Sequence, residues 1–143
     1  MSIEITARAG MKRHVAHPDI TPEAISQLVE EFYGAIQHHD RLKLLFNPRL
    51  DGRWEPHLEK MKAFWRSVLL TSGEYFGRPV PVHNAIEDLD EGDFSLWIGL
   101  FDETVDRVFE PYPRIIIKEK ARRIAKSLWL SRFGMPGSNP PDF

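Results

Sequence analysis

Apolar side chains recur at three- and four-residue steps along most of this chain, in runs cut short by prolines, and that pattern points to packed helices. The first run is Ile25, Leu28, Val29, Phe32, Tyr33 and Ile36; the second is Trp54, Leu58, Met61, Phe64, Trp65, Val68 and Leu69, with His57 sharing its stripe. Phe94, Trp97, Ile98, Phe101, Val105 and Val108 make a third, and Ile117, Ala121, Ile124, Ala125 and Leu128 a fourth. Strand-like alternation is nearly absent, the only short β-branched run being "RIIIK" from Arg114 to Lys118. The expected fold is all-α, with about four main helices and short connecting pieces, each helix burying its stripe against the others.

Local signals place the boundaries. In "TPEA", Thr21 suits an N-cap, Pro22 the first helical position, and Glu23 the positive end of the helix dipole. "RLKLLF" reads as a short apolar turn ending at Asn47-Pro48, the next helix should begin near Arg53, and the two prolines of "EPYPR" separate the third long helix from the fourth. Residues 1–19 lack periodicity and are read as an N-terminal extension, 20–133 as the folded domain, and the Gly- and Pro-rich stretch 134–143 as a flexible C-terminal tail. His14 and His17 have no further ligand nearby and are read as surface residues.

The bulk numbers exclude several classes. A net charge of -2 gives no electrostatic reason to expect nucleic acid as a partner. No stretch approaches the roughly 18 apolar residues of a membrane span, and "MSIEITARAGMKRH" lacks a signal-peptide core, so a cytoplasmic location is expected. The absence of cysteine removes disulfides, thiolate nucleophiles, iron–sulfur clusters and covalent haem attachment.

What remains is a set of polar residues embedded in apolar stripes. Tyr33, His57 and Trp97 lie on the buried faces of three helices, while His83 follows the proline-stiffened "YFGRPVPVH". A buried polar atom left unpaired costs about 1–3 kcal/mol, so three such groups converging suggest a polar pocket in an aromatic core. Taken singly, each also fits an ordinary core residue bonded to a backbone carbonyl.

Several runs together are specific: "FY" at Phe32-Tyr33, "LF" at Leu45-Phe46, "WEPHLEKMKAFW" from Trp54 to Trp65, "GEYFGRPVPVH" from Gly73 to His83, and "DFSLWIGLF" from Asp93 to Phe101. In this order and spacing the chain resembles the group III truncated haemoglobins. The resemblance implies a truncated globin fold, a two-over-two helical sandwich around a noncovalent haem b. It implies His83 as the iron ligand, and Tyr33, His57 and Trp97 as the polar groups facing a ligand on the other side. It further implies that Phe46, Met61, Phe64, Trp65 and Tyr75 pack against the haem; Lys60 and Arg78 are the nearest cationic candidates for its propionates. Pro56, directly before His57, fits only if it falls in the first helical turn, and "NAIEDLDEGD" after His83 is acidic where a proximal wall is expected.

The ligands so implied are oxygen, nitric oxide and carbon monoxide, with peroxide or cyanide as further candidates. Two strong donors should hold oxygen tightly, which suits nitric oxide and oxygen redox chemistry or detoxification better than transport. Nitric oxide dioxygenase activity would require an external reductase, because no flavin or nicotinamide motif is present. The alternatives are a peroxidase-like protein, a haem-based sensor or store, and a cofactor-free helical interaction domain.

Overall fold

The structure is a computed structural model that describes residues 17–143, and among these it contains six helices and no strand. His14 and most of the N-terminal extension lie outside the described residues.

Helix α1 (Pro22–Ile36) starts as its sequence dictates: the Thr21 side chain accepts from the Ala24 N–H at 3.1 Å and Pro22 opens the first turn. Its stripe, Ile25, Leu28, Val29, Phe32, Tyr33 and Ile36, is buried throughout. The "RLKLLF" segment is not a turn but helix α2 (Leu42–Leu50), nine residues with Pro48 in its last turn. Its Leu42 and Leu45 are buried, so tertiary burial sustains a helix whose proline and length argue against it. Helix α3 (Trp54–Leu70) begins after Arg53, and Pro56 occupies its first turn, where no intrahelical N–H bond is lost.

The two loop prolines Pro79 and Pro81 belong to a short helix, α4 (Pro79–Asn84), which carries His83. Helix α5 (Asp93–Val108) follows, and α6 (Pro111–Phe133) runs for 23 residues. Pro111 and Pro113 sit in the first turn of α6 rather than ahead of it, and the β-branched "RIIIK" is helical. Burial of Ile117 in the core outweighs its strand preference.

Helix α1 packs on α3 and on α5, α5 packs on α6, and α4 lies against α6. Phe101, with no exposure, is the hub: its ring stacks on Trp65 at 5.0 Å and on Trp97 at 5.2 Å, and meets Phe32 edge-on at 5.1 Å. Three helices therefore share one aromatic cluster. Lys62, nearly buried on α3, donates to Glu30 of α1 at 2.6 Å and to Glu59 at 3.2 Å, pinning α3 to α1 with a paired charge. Residues 134–143 form no helix, yet Phe143 packs on the core and its carbonyl accepts from Arg122 Nε at 2.9 Å, so the end of the tail is docked. Among the described residues no helix is long and apolar enough to cross a membrane.

Candidate functional site

A cavity of about 570 Å³ opens between these helices, within the roughly 300–1,000 Å³ typical of cofactor and ligand sites. Leu42, Leu45 and Phe46 of α2, Met61, Phe64 and Trp65 of α3, Ile86 and Leu89 after α4, Phe94 of α5 and Leu128 of α6 make its wall apolar. Tyr33, His57, Tyr75, His83, Asp93 and Trp97 add polar groups to this lining.

Tyr33 and His57 meet edge-on, ring centroids 5.0 Å apart, with Trp54 6.4 Å from Tyr33 and 6.3 Å from His57. Burial pushes the Tyr33 phenol well above its ordinary pKa, and the neighbouring Tyr75 adds to the rise. It therefore remains a neutral donor at every physiological pH. The His57 Nε2 atom is buried and has no hydrogen-bond partner among the described residues. Burial, and secondarily the positive charge of Lys60, lower its pKa, so the imidazole is neutral in the pocket. A buried ring nitrogen with no partner is costly, and this one lies on a residue that lines the cavity. The Trp97 indole, a donor only, is held flat against Phe101 with 5° between the planes.

His83 is half-buried, and its Nδ1 lies 2.6 Å from the Pro79 carbonyl oxygen. A carbonyl can only accept, so Nδ1 is the protonated nitrogen of this contact, and in the neutral ring that tautomer leaves the lone pair on Nε2, as in metal-ligating imidazoles. The contact spans one turn of α4, and Pro79 supplies a carbonyl while having no N–H of its own to satisfy.

Tyr75 reaches the cavity because the segment after α3 is strapped back onto that helix. Arg66 grips Glu74 through two 2.8 Å bonds, and the Tyr75 N–H donates to Ser67 Oγ at 3.0 Å. The Tyr75 ring then packs edge-on against Phe64 at 5.0 Å and lies over Gly77, where any Cβ would collide with the phenol.

Of the residues singled out from sequence, Tyr33, Phe46, His57, Lys60, Met61, Phe64, Trp65, Tyr75, His83 and Trp97 all border this one cavity, Lys60 as an exposed side chain at the rim. Arg78 does not border it; its side chain is exposed at the N-cap of α4. The cation that sequence reasoning missed is Arg49, on the wall but held by Asp88 at 2.5 Å and the Leu45 carbonyl at 2.7 Å. Asp93 was missed as well. Burial opposes its charge, but Arg41 binds both of its oxygens at 2.9 and 2.8 Å, the Asp90 N–H adds a third bond, and its carboxyl sits below the usual range. An isolated acid-rich stretch gives no sign in sequence of which acids turn inward to distant arginines.

No family model matches the sequence. The chain is 30% identical over 109 residues to the group 3 truncated hemoglobin ctb of Campylobacter jejuni, an alignment covering 74% of this chain and 86% of that protein. Its structure superposes on the crystal structure of the group III truncated hemoglobin from Campylobacter jejuni with a TM-score of 0.78, at 27% identity, over 86% of this chain and 98% of the other. With an all-helical fold, an aromatic-walled cavity bearing Tyr33, His57, His83 and Trp97, and a relative this similar over most of both lengths, the chain belongs to the group III truncated haemoglobin family.

Proposed function

We propose that this protein binds haem b noncovalently in the cavity, with His83 Nε2 as the iron ligand, and holds small diatomic molecules beneath Tyr33, His57 and Trp97 for nitric oxide and oxygen redox chemistry. The observation that carries the reading is the pairing in one apolar cavity of a His83 whose Nδ1 is bonded to the Pro79 carbonyl with a His57 whose buried Nε2 has no partner. The residues present fit the group: an apolar slot for the macrocycle, a lone-pair nitrogen for the metal, and no cysteine for covalent attachment. Haem, when bound, supplies an iron that takes up diatomic ligands and exchanges electrons with them. Lys60 at the rim, which has no ion pair among the described residues, is the candidate partner for a propionate; Arg49 is already committed to Asp88.

The chain's own residues define how a ligand is treated. Tyr33 stays protonated and donates through its phenol, Trp97 donates through its indole N–H, and neutral His57 donates or accepts at Nε2. Such donors favour a ligand that takes up negative charge, oxygen above carbon monoxide, and slow its escape. Tight retention suits turnover of the held ligand over delivery. Oxidation of nitric oxide would require a separate reductase to return the electron. Slow release suits a sensor or store equally, and peroxide-consuming activity would draw on the same donors.

Titration of the purified protein with hemin tests the core of the reading: one equivalent should be taken up with a strong Soret band, and His83→Ala should weaken or shift it. Absence of stoichiometric uptake refutes haem binding and leaves a cofactor-free helical domain. Rapid mixing of the oxygenated protein with nitric oxide then separates the functions, since stoichiometric nitrate supports the dioxygenase and inertness supports a sensor or store.

A further inference from the structure

Helix α4 should not be able to hold His83 in place by itself. It is six residues long, none of them is buried, and no side chain caps its start. A helix this short has no independent stability, and an apolar anchor is lacking. Yet a metal ligand must be held to within about 0.5 Å to be useful.

The polypeptide just beyond His83 is tied down at every second residue, from two directions. On the α6 side, Asn84 Nδ2 donates to Ser131 Oγ at 3.1 Å and Arg132 Nη2 donates to the Ile86 carbonyl at 3.2 Å. On the α2 side, Arg41 Nη2 donates to the Asp88 carbonyl at 2.8 Å, and Arg49 reaches the Asp88 carboxylate. Arg41 also grips Asp93, nearly buried at the head of α5, so one guanidinium joins the N-cap of α2, the segment after His83 and α5. A planar five-donor fork can grip a carboxylate with two parallel bonds and still reach a carbonyl in a fixed geometry, which a lysine's single point of charge does not match.

We propose that Arg41, with Arg49 and Asp88, is a positioning element for His83, a polar strut that fixes the α4 segment relative to α2 and so sets the height of the cavity between them. This rests on the reading of His83 as the haem ligand. The acidic run "NAIEDLDEGD" thereby gains a purpose: Asp88 and Asp93 are the anchor points at which arginines of α2 take hold.

Two variants test it. Arg41→Met/Asp93→Asn removes the bidentate pair without leaving a buried charge, and Asp88→Ala removes only the exposed carboxylate gripped by Arg49. In hemin-loaded protein, the double variant should lose hemin to excess apomyoglobin about tenfold faster, the low end of the cost for outer-shell partners of a metal ligand. The iron–histidine stretching band in resonance Raman spectra of the ferrous protein should shift or broaden in both variants. In the apoprotein, the ring nitrogen resonances of His83 should move in both, since the Pro79 contact depends on the same placement. Variants that only melt at lower temperature, with hemin loss, Raman band and His83 resonances of the wild type, overturn the proposal. If wild-type protein takes up no hemin the haem reading fails separately, and the apoprotein resonances alone decide the strut, unmoved resonances refuting it.

Discussion

Replacing Tyr33 by Phe should leave the fold intact while releasing bound oxygen far faster. The ring itself is buried, packed against Phe32 at 5.1 Å and His57 at 5.0 Å, and phenylalanine preserves those contacts. No hydrogen bond contributes to the phenol's raised pKa, which follows from burial and from Tyr75. Among the described residues the hydroxyl makes no hydrogen bond that its removal would delete, and urea unfolding of the apoprotein should give a stability within about 1 kcal/mol of wild type, or slightly higher. A hydrogen bond to a charged acceptor contributes about 1.5–3 kcal/mol. At about 1.4 kcal/mol per factor of ten, the oxygen dissociation rate of the reconstituted ferrous protein should rise roughly ten- to a hundredfold. Stopped-flow displacement of oxygen by carbon monoxide reads that rate directly. Because the phenol stays protonated well above neutrality, the wild-type rate should carry no Tyr33 titration between pH 6 and 9. An unchanged dissociation rate, or a loss of several kcal/mol of apoprotein stability, would show that the hydroxyl serves the fold and not the ligand.

Other outcomes follow from the same geometry. His57 has a lowered pKa, caused first by burial and then by Lys60, so its neutral form belongs to the folded state and the unfolded chain binds the proton first. Its contribution is thus present above the ordinary histidine value near pH 6.5 and is lost as pH falls through that value and below; His57→Leu should flatten the apoprotein's stability profile on the acid side of about pH 6.5. Equal slopes in the two proteins would sink this assignment. Phe101→Leu should cost about 2–4 kcal/mol in denaturant unfolding, from three lost aromatic pairs at about 0.5–1.5 kcal/mol each and a partly filled space, and should diminish the near-ultraviolet dichroism of Trp65 and Trp97. A cost below about 1 kcal/mol with unaltered dichroism would mean the stack is incidental.

The four long helices, and which of their faces turn inward, were legible in the order of residues, whereas the short helices α2 and α4 were not. Period and proline placement are local quantities: the stripe of α1 is buried where periodicity put it, and those of α3 and α5 face the core, Trp65, Leu69, Phe94, Ile98, Phe101 and Val105 buried and Trp54, Leu58, Met61, Phe64, Val68, Trp97 and Val108 partly so. The sequence also marked Tyr33, His57 and Trp97, because a hydrogen-bonding side chain on an apolar stripe is visible without knowing its neighbours. Reading "RLKLLF" as a turn failed for the opposite reason: its helicity comes from burying Leu42 and Leu45 against other elements, a term absent from local propensity. Only packing could fix that His57 Nε2 has no partner among the described residues while His83 Nδ1 has one, that Arg78 stays outside and Arg49 lines the wall, and that Arg41 finds Asp93 52 residues away. Hydrogen bonds and ion pairs depend on distances of a few ångströms between segments remote in sequence. Those distances exist only after the stripes have packed.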